Sequence, residues 1–111
     1  MKYLLLICVD DPERKPAPED GGDVEPWVKE MDGSGVRVFG SRTRPPADAT
    51  TVRVRNGEVL LTDGPYAETK EWMAGFDVIE CADLDEAIAV ASKHPMARAG
   101  MVEVRPFWEA D

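Results

Sequence analysis

The chain has 111 residues, with 22 acidic side chains against 13 basic ones and a formal net charge of -9 at pH 7. That length is one domain, 1–111, and is enough to bury a core without disulfide or metal staples. The charge repels phosphate backbones and anionic lipid surfaces, which argues against nucleic acid and membrane as partners.

Met1-Lys2 leads into an apolar run over residues 3–9, too short to span a bilayer and followed by no small-residue cleavage site. The run shows no polar alternation, so the strand it predicts must be covered on both faces and lie centrally in a sheet. Residues 10–22 hold three prolines and two glycines among many charges, which reads as an exposed loop.

Asp23 stands as an N-cap with Pro26 in the first helical turn. Val24, Trp27, Val28 and Met31 recur at i, i+3, i+4 and i+7, one face of a helix that Gly33-Ser34-Gly35 stops. Residues 36–40 read as a strand, and the prolines in 42–49 break the chain into a connection. Residues 51–55 and 58–62 flank Asn56-Gly57, the strongest short hairpin signal, because both turn positions accept positive φ.

The next run, Asp63-Gly64-Pro65-Tyr66-Ala67-Glu68-Thr69-Lys70-Glu71, joins a turn-forming tripeptide to a dense set of polar groups. A strand then follows over 76–81. Asp83 and Glu86 form a capping box, and the helix behind it places Leu84, Ala87, Ile88 and Ala91 on one side until His94-Pro95 ends it. Val102-Glu103-Val104-Arg105 alternates as a last half-buried strand.

The order is β-α-β, a hairpin, then β-α-β. Two helices with one apolar stripe each cover one face of a four-stranded antiparallel sheet, a ferredoxin-like α+β layer. The two-faced first strand then calls for something on the other face, and a second copy of the chain supplies it.

Asp63 and Glu68 are placed to share a proton or hold a cation, Lys70 to anchor a carboxylate, and Tyr66 to donate a hydrogen bond or stack on a ring. A solvated turn organised by Asp63 is the plainer alternative. His94 is the sole histidine. It is either a general base oriented by a carboxylate, or a cation resting on the end of its helix dipole. Trp27 reads as core, Trp72 as a pocket wall and Trp108 as an interface residue. Scattered carboxylates around one histidine give no metal-ligand spacing, and no phosphate loop or other cofactor signature appears. Cys8 and Cys81 lack C-x-x-C spacing, which fits a reduced, cytoplasmic protein.

The run from Asp63 to Glu71 resembles the signature of the DGPF subgroup of the YCII-related proteins, Asp-Gly-Pro-Phe-Ala-Glu-Thr-Lys-Glu, departing from it only at Tyr66. Gly75-Phe76, Asp83-Leu84-Asp85-Glu86-Ala87, Pro95 and Val102-Glu103-Val104-Arg105-Pro106 follow in that family's order. The resemblance implies a dimeric α+β barrel, a homodimer packed sheet to sheet. It implies a pairing of a first-helix histidine with an aspartate before the second helix's proline. Here the first helix has no histidine and His94 fills the pre-proline position, so that dyad does not transfer. Two functions follow from the resemblance: a small-molecule-binding or regulatory accessory protein associated with sigma factors, or a cofactor-free acid-base enzyme of lyase or isomerase type. In the second, Asp63, Glu68 and His94 are catalytic; Tyr66, Lys70 and Trp72 are the ligand-binding residues.

Overall fold

A computed structural model describes residues 1–11, 17–20, 22–64 and 72–109. The strands are β1 (Lys2–Val9), β2 (Arg37–Arg42), β3 (Thr50–Arg55), β4 (Glu58–Asp63), β5 (Trp72–Glu80) and β6 (Met101–Pro106). The helices are α1 (Glu25–Gly33), α2 (Leu84–Ser92) and the short α3 (Met96–Ala99). This is a mixed α+β architecture with antiparallel sheets. One four-stranded sheet runs β2-β5-β1-β6, and β3 and β4 form a separate two-stranded one.

β1 takes the central place its double-sided hydrophobicity requires, paired antiparallel to both β5 and β6. Its Tyr3, Leu5, Ile7 and Val9 are buried, while Leu4, Leu6 and Cys8 on the opposite face are only half-buried. The helices cover the first face. Tyr3, Leu5 and Ile79 from the sheet meet Trp27 and Met31 of α1 and Ala87, Val90 and Ala91 of α2. Each large side chain fully removed from water there contributes about 1.5–3 kcal/mol.

Two local details differ from the sequence expectation. The first is at α1, which has Val24 at its N-cap position with no side-chain cap, while the Asp23 carboxylate accepts only from the Glu25 amide, at 3.4 Å. Pro26 in the first turn has no N–H to satisfy, so the end tolerates a weak cap. The second is at α2, which buries Ala87, Val90 and Ala91, whereas Leu84 and Ile88 are 49% and 47% exposed. The alanines let this helix settle close on the sheet. Trp27 packs at its flank, donating its indole N–H to the Val90 carbonyl at 3.0 Å. The α2 cap is as expected: Asp83 accepts from the Glu86 amide at 2.9 Å, and Glu86 accepts from the Ala82 amide at 2.7 Å.

Asn56 and Gly57 turn the β3–β4 hairpin with φ of 53° and 78°, the positive angles a two-residue turn requires. Val52 faces Leu61 and Val54 faces Val59 across it, and all four are more than half exposed. The hairpin stands off the main sheet. Its extensive contacts are within itself, which helps bring the radius of gyration to 15.8 Å, above the roughly 13 Å of a compact domain this size.

Candidate functional site

A cleft of about 640 Å³ lies between α1, the β2–β5 side of the sheet and the α2–α3 junction. Its volume is within the range of small-molecule sites. Ile7, Val9, Val28 and Met96 give it apolar walls, and Trp72 stands at the start of β5 on its rim. Two buried polar side chains also line it, His94 and Asp77.

His94 follows α2 and is held by its neighbours. Its own amide donates to the Ala91 carbonyl at 3.0 Å, and its carbonyl accepts from the Ala97 amide at 2.9 Å. The Met96 amide donates to Nδ1 at 3.0 Å. An Nδ1 that accepts must carry the lone pair, so the neutral ring has its proton on Nε2. Trp27 packs edge-on against the imidazole, with centroids 4.6 Å apart and planes at 62°. The residue is 4% exposed, and burial lowers its pKa from 6.5 to about 4. His94 is therefore neutral at physiological pH. The helix-end cation expected from the sequence is not what the fold builds, because the ring lies buried against Trp27 with the Met96 amide on Nδ1.

Asp77 comes from β5. In register, Asp77 faces Leu5 on one neighbour and Gly40 on the other, so its side chain shares the helix-covered face. Its Oδ1 accepts from Arg37 Nε at 2.7 Å, and Arg37 also reaches Asp32 at the end of α1 with Nη1 at 3.1 Å. Burial pushes the Asp77 pKa up and the Arg37 guanidinium opposes the rise. The hydrogen bond to Asp77 in turn raises the pKa of Arg37. Gly40 makes the room: a Cβ there would lie 2.0 Å from Asp77 Oδ1.

Neither the pairing of Asp77 with Arg37 nor its place in the cleft was drawn from the sequence. One signal for it exists, since Asp77 is two residues from Ile79 and so shares the buried face of an otherwise apolar strand.

Residues 1–111 match the YCII-related domain. The chain belongs to the YCII-related family. A relative from Rhizobium meliloti (strain 1021), described as an uncharacterized protein, is 46% identical over 69 residues, covering 60% of this chain. The matched part is 56% of that relative, so the chain spans just over half its length.

In this YCII-related protein, Asp63 ends β4 on the exposed hairpin, paired in register with Thr50. Beside it, the Gly64 amide donates to the Ala49 carbonyl at 2.7 Å, and Thr51 Oγ1 donates to the Gly64 carbonyl at 2.8 Å. Asp63 is not among the residues lining the cleft, whereas His94 and Trp72 are. Tyr66, Glu68 and Lys70 lie outside the described residues. Among the described residues, no cluster of three metal-ligating side chains forms, and no helix is long and apolar enough to cross a membrane.

Proposed function

We propose that this protein binds a small organic molecule in the cleft between α1, β2 and β5, and that it does so as a non-catalytic, accessory protein. The observation that carries this reading is the state of His94. A general base needs a free lone pair and an orienting partner. Here the Nδ1 lone pair is committed to the Met96 amide, no carboxylate among the described residues contacts the ring, and burial holds the group neutral. What is left is a fixed Nε2–H donor at the wall of a largely apolar cavity, which suits recognition. Trp72 enters the proposal through the cleft. Tyr66 and Lys70 enter it through the resemblance to the DGPF subgroup, as do Asp63 and Glu68 in the acid-base alternative.

The strand order β2-β5-β1-β6, with its hairpin set apart, supports a ferredoxin-like layer. We propose that a second copy packs on its open face to make the dimeric α+β barrel. Leu4, Leu6, Phe76 and Val78 share that face, half-buried, next to Phe39 at 59% exposure. An apolar surface of this kind is a docking surface in soluble proteins.

Two-dimensional NMR with a mixed panel of small molecules tests the ligand reading. Shifts clustered at Ile7, Val28, His94 and Met96 support it; shifts confined to the hairpin, or none at all, contradict it.

A further inference from the structure

His94 and Asp77 share an arrangement that points to the class of ligand. Each is a polar side chain more than nine-tenths buried, at 4% and 6% exposure. In each, one polar atom is satisfied by the protein: His94 Nδ1 by the Met96 amide, Asp77 Oδ1 by Arg37. The other atom of each, His94 Nε2 and Asp77 Oδ2, has no hydrogen-bond partner among the described residues. Neither is sealed in the core, since no buried side-chain nitrogen or oxygen is left without a partner. Both residues line the same cleft, so it is through the cleft that these atoms are reached. Open to the cleft, both atoms can be met by water, and a ligand that meets both takes the place of that water.

The two atoms differ in kind. Nε2 of the neutral tautomer is a donor and asks for a ligand oxygen. Oδ2 of a carboxylate paired with Arg37 is an acceptor and asks for a ligand N–H or O–H. The inner charges already have partners: Asp77 is matched by Arg37, which also reaches Asp32. A charged group placed against the pair would find no free counter-charge at Asp77 or Arg37, which is unfavourable where both are buried. The other charged residues on the lining, Asp23, Glu25, Arg42 and Arg44, are exposed to solvent. Around the pair stand the apolar side chains of Ile7, Val9, Val28 and Met96.

We propose that the cleft takes an uncharged organic molecule with an apolar body, a carbonyl oxygen held by His94 Nε2–H and a hydroxyl or amide N–H held by Asp77 Oδ2. This rests on the cleft being a ligand site, as proposed above. His94 and Asp77 are then its specificity-determining residues, one reading the acceptor and the other the donor.

The test is a matched set of single-ring probes at pH 6.5, titrated by protein-observed NMR. It comprises 4-hydroxyacetophenone (carbonyl and hydroxyl), acetophenone (carbonyl only), 4-methylphenol (hydroxyl only), toluene (neither), 4-acetylbenzoate (anion) and benzylammonium (cation). The proposal expects 4-hydroxyacetophenone to bind at least about tenfold more tightly than acetophenone or 4-methylphenol, with shifts centred on His94 and Asp77. In Asp77→Asn, Arg37 holds the amide oxygen and turns the NH₂ group into the cleft. The hydroxyl preference should then vanish, and 4-acetylbenzoate should gain. Tightest binding by 4-acetylbenzoate, benzylammonium or toluene at these residues overturns the ligand class and leaves the cleft reading standing. If no probe shifts cleft residues, both fall. The wild-type series decides the matter even if Asp77→Asn folds poorly.

Discussion

Gly40→Ala tests the geometry of the buried pair in the cleft most sharply. The new Cβ would sit 2.0 Å from Asp77 Oδ1, 2.8 Å from its Cγ and 2.8 Å from the Phe76 carbonyl oxygen. All three distances are shorter than real Cβ contacts, and neither neighbour yields easily. The Asp77 carboxylate is pinned by Arg37 at 2.7 Å, and the Phe76 carbonyl belongs to the sheet backbone. The carboxylate must therefore turn away from Arg37. Breaking a buried pair costs roughly 3–5 kcal/mol when one charge is left uncompensated, and forced overpacking costs roughly 1–3 kcal/mol. Arg37 keeps Asp32 and the carboxylate can turn toward the cleft, so the lower figure applies, about 3 kcal/mol. With an unfolding entropy of about 2.1 cal/mol/K per residue, that lowers Tm by about 13 °C. Urea denaturation and circular dichroism melts measure it directly. A double-mutant cycle isolates the cause, because in an Asp77→Ala background only the Phe76 carbonyl contact remains and the same change should cost about 1 kcal/mol, the low end of overpacking. Gly40→Ala within about 0.5 kcal/mol of wild type, or an equal loss in both backgrounds, would refute the account.

The remaining predictions concern the other parts of the structure. The folded pKa of His94, about 4, lies below its reference value of 6.5, so between those values the unfolded chain binds more protons. The stability this group contributes is complete above pH 6.5 and is lost as pH falls toward 4, by about 3 kcal/mol at about 1.36 kcal/mol per unit. Urea unfolding of wild type and His94→Gln across that window checks it, and the variant should show a flatter profile. Trp27→Phe removes the indole donor to Val90 and leaves a gap beside His94, at a cost of about 2 kcal/mol; a thermal melt and a rise in the His94 titration midpoint would show it. Leu6→Glu places a charge in the open sheet face, and light scattering should show a dimer in wild type and a monomer in the variant. A wild-type monomer would end the sheet-to-sheet arrangement.

Much of the fold is legible in the sequence where one residue forces a local geometry. Asn56-Gly57 fixes the hairpin, Asp83 fixes the start of α2, and the unbroken apolar run of β1 fixes its central place. The cleft is less legible because its polar groups come together through register. Asp77 meets Gly40 and Arg37 only once β2 pairs with β5, and a shift between Arg37 and Phe39 sets that pairing. No spacing along the chain encodes such a shift. Pro95 reads as a helix stop, yet it also starts α3, whose first residue supplies the Met96 amide to His94. The outward face of α2 has a similar origin. Period marks Leu84 and Ile88 as apolar, but the face that packs in the core carries Ala87, Val90 and Ala91 beside Trp27.

The central claim, that the cleft offers a fixed neutral donor rather than a base, is tested most directly by the ¹⁵N spectrum of the single imidazole. Long-range proton-nitrogen correlation on ¹⁵N-labelled protein at neutral pH reports both the tautomer and the charge. The account predicts a proton on Nε2, an accepting Nδ1 and a titration midpoint near 4. A proton on Nδ1, or a midpoint at the ordinary value of about 6.5, would contradict it and return His94 to the role of an available base.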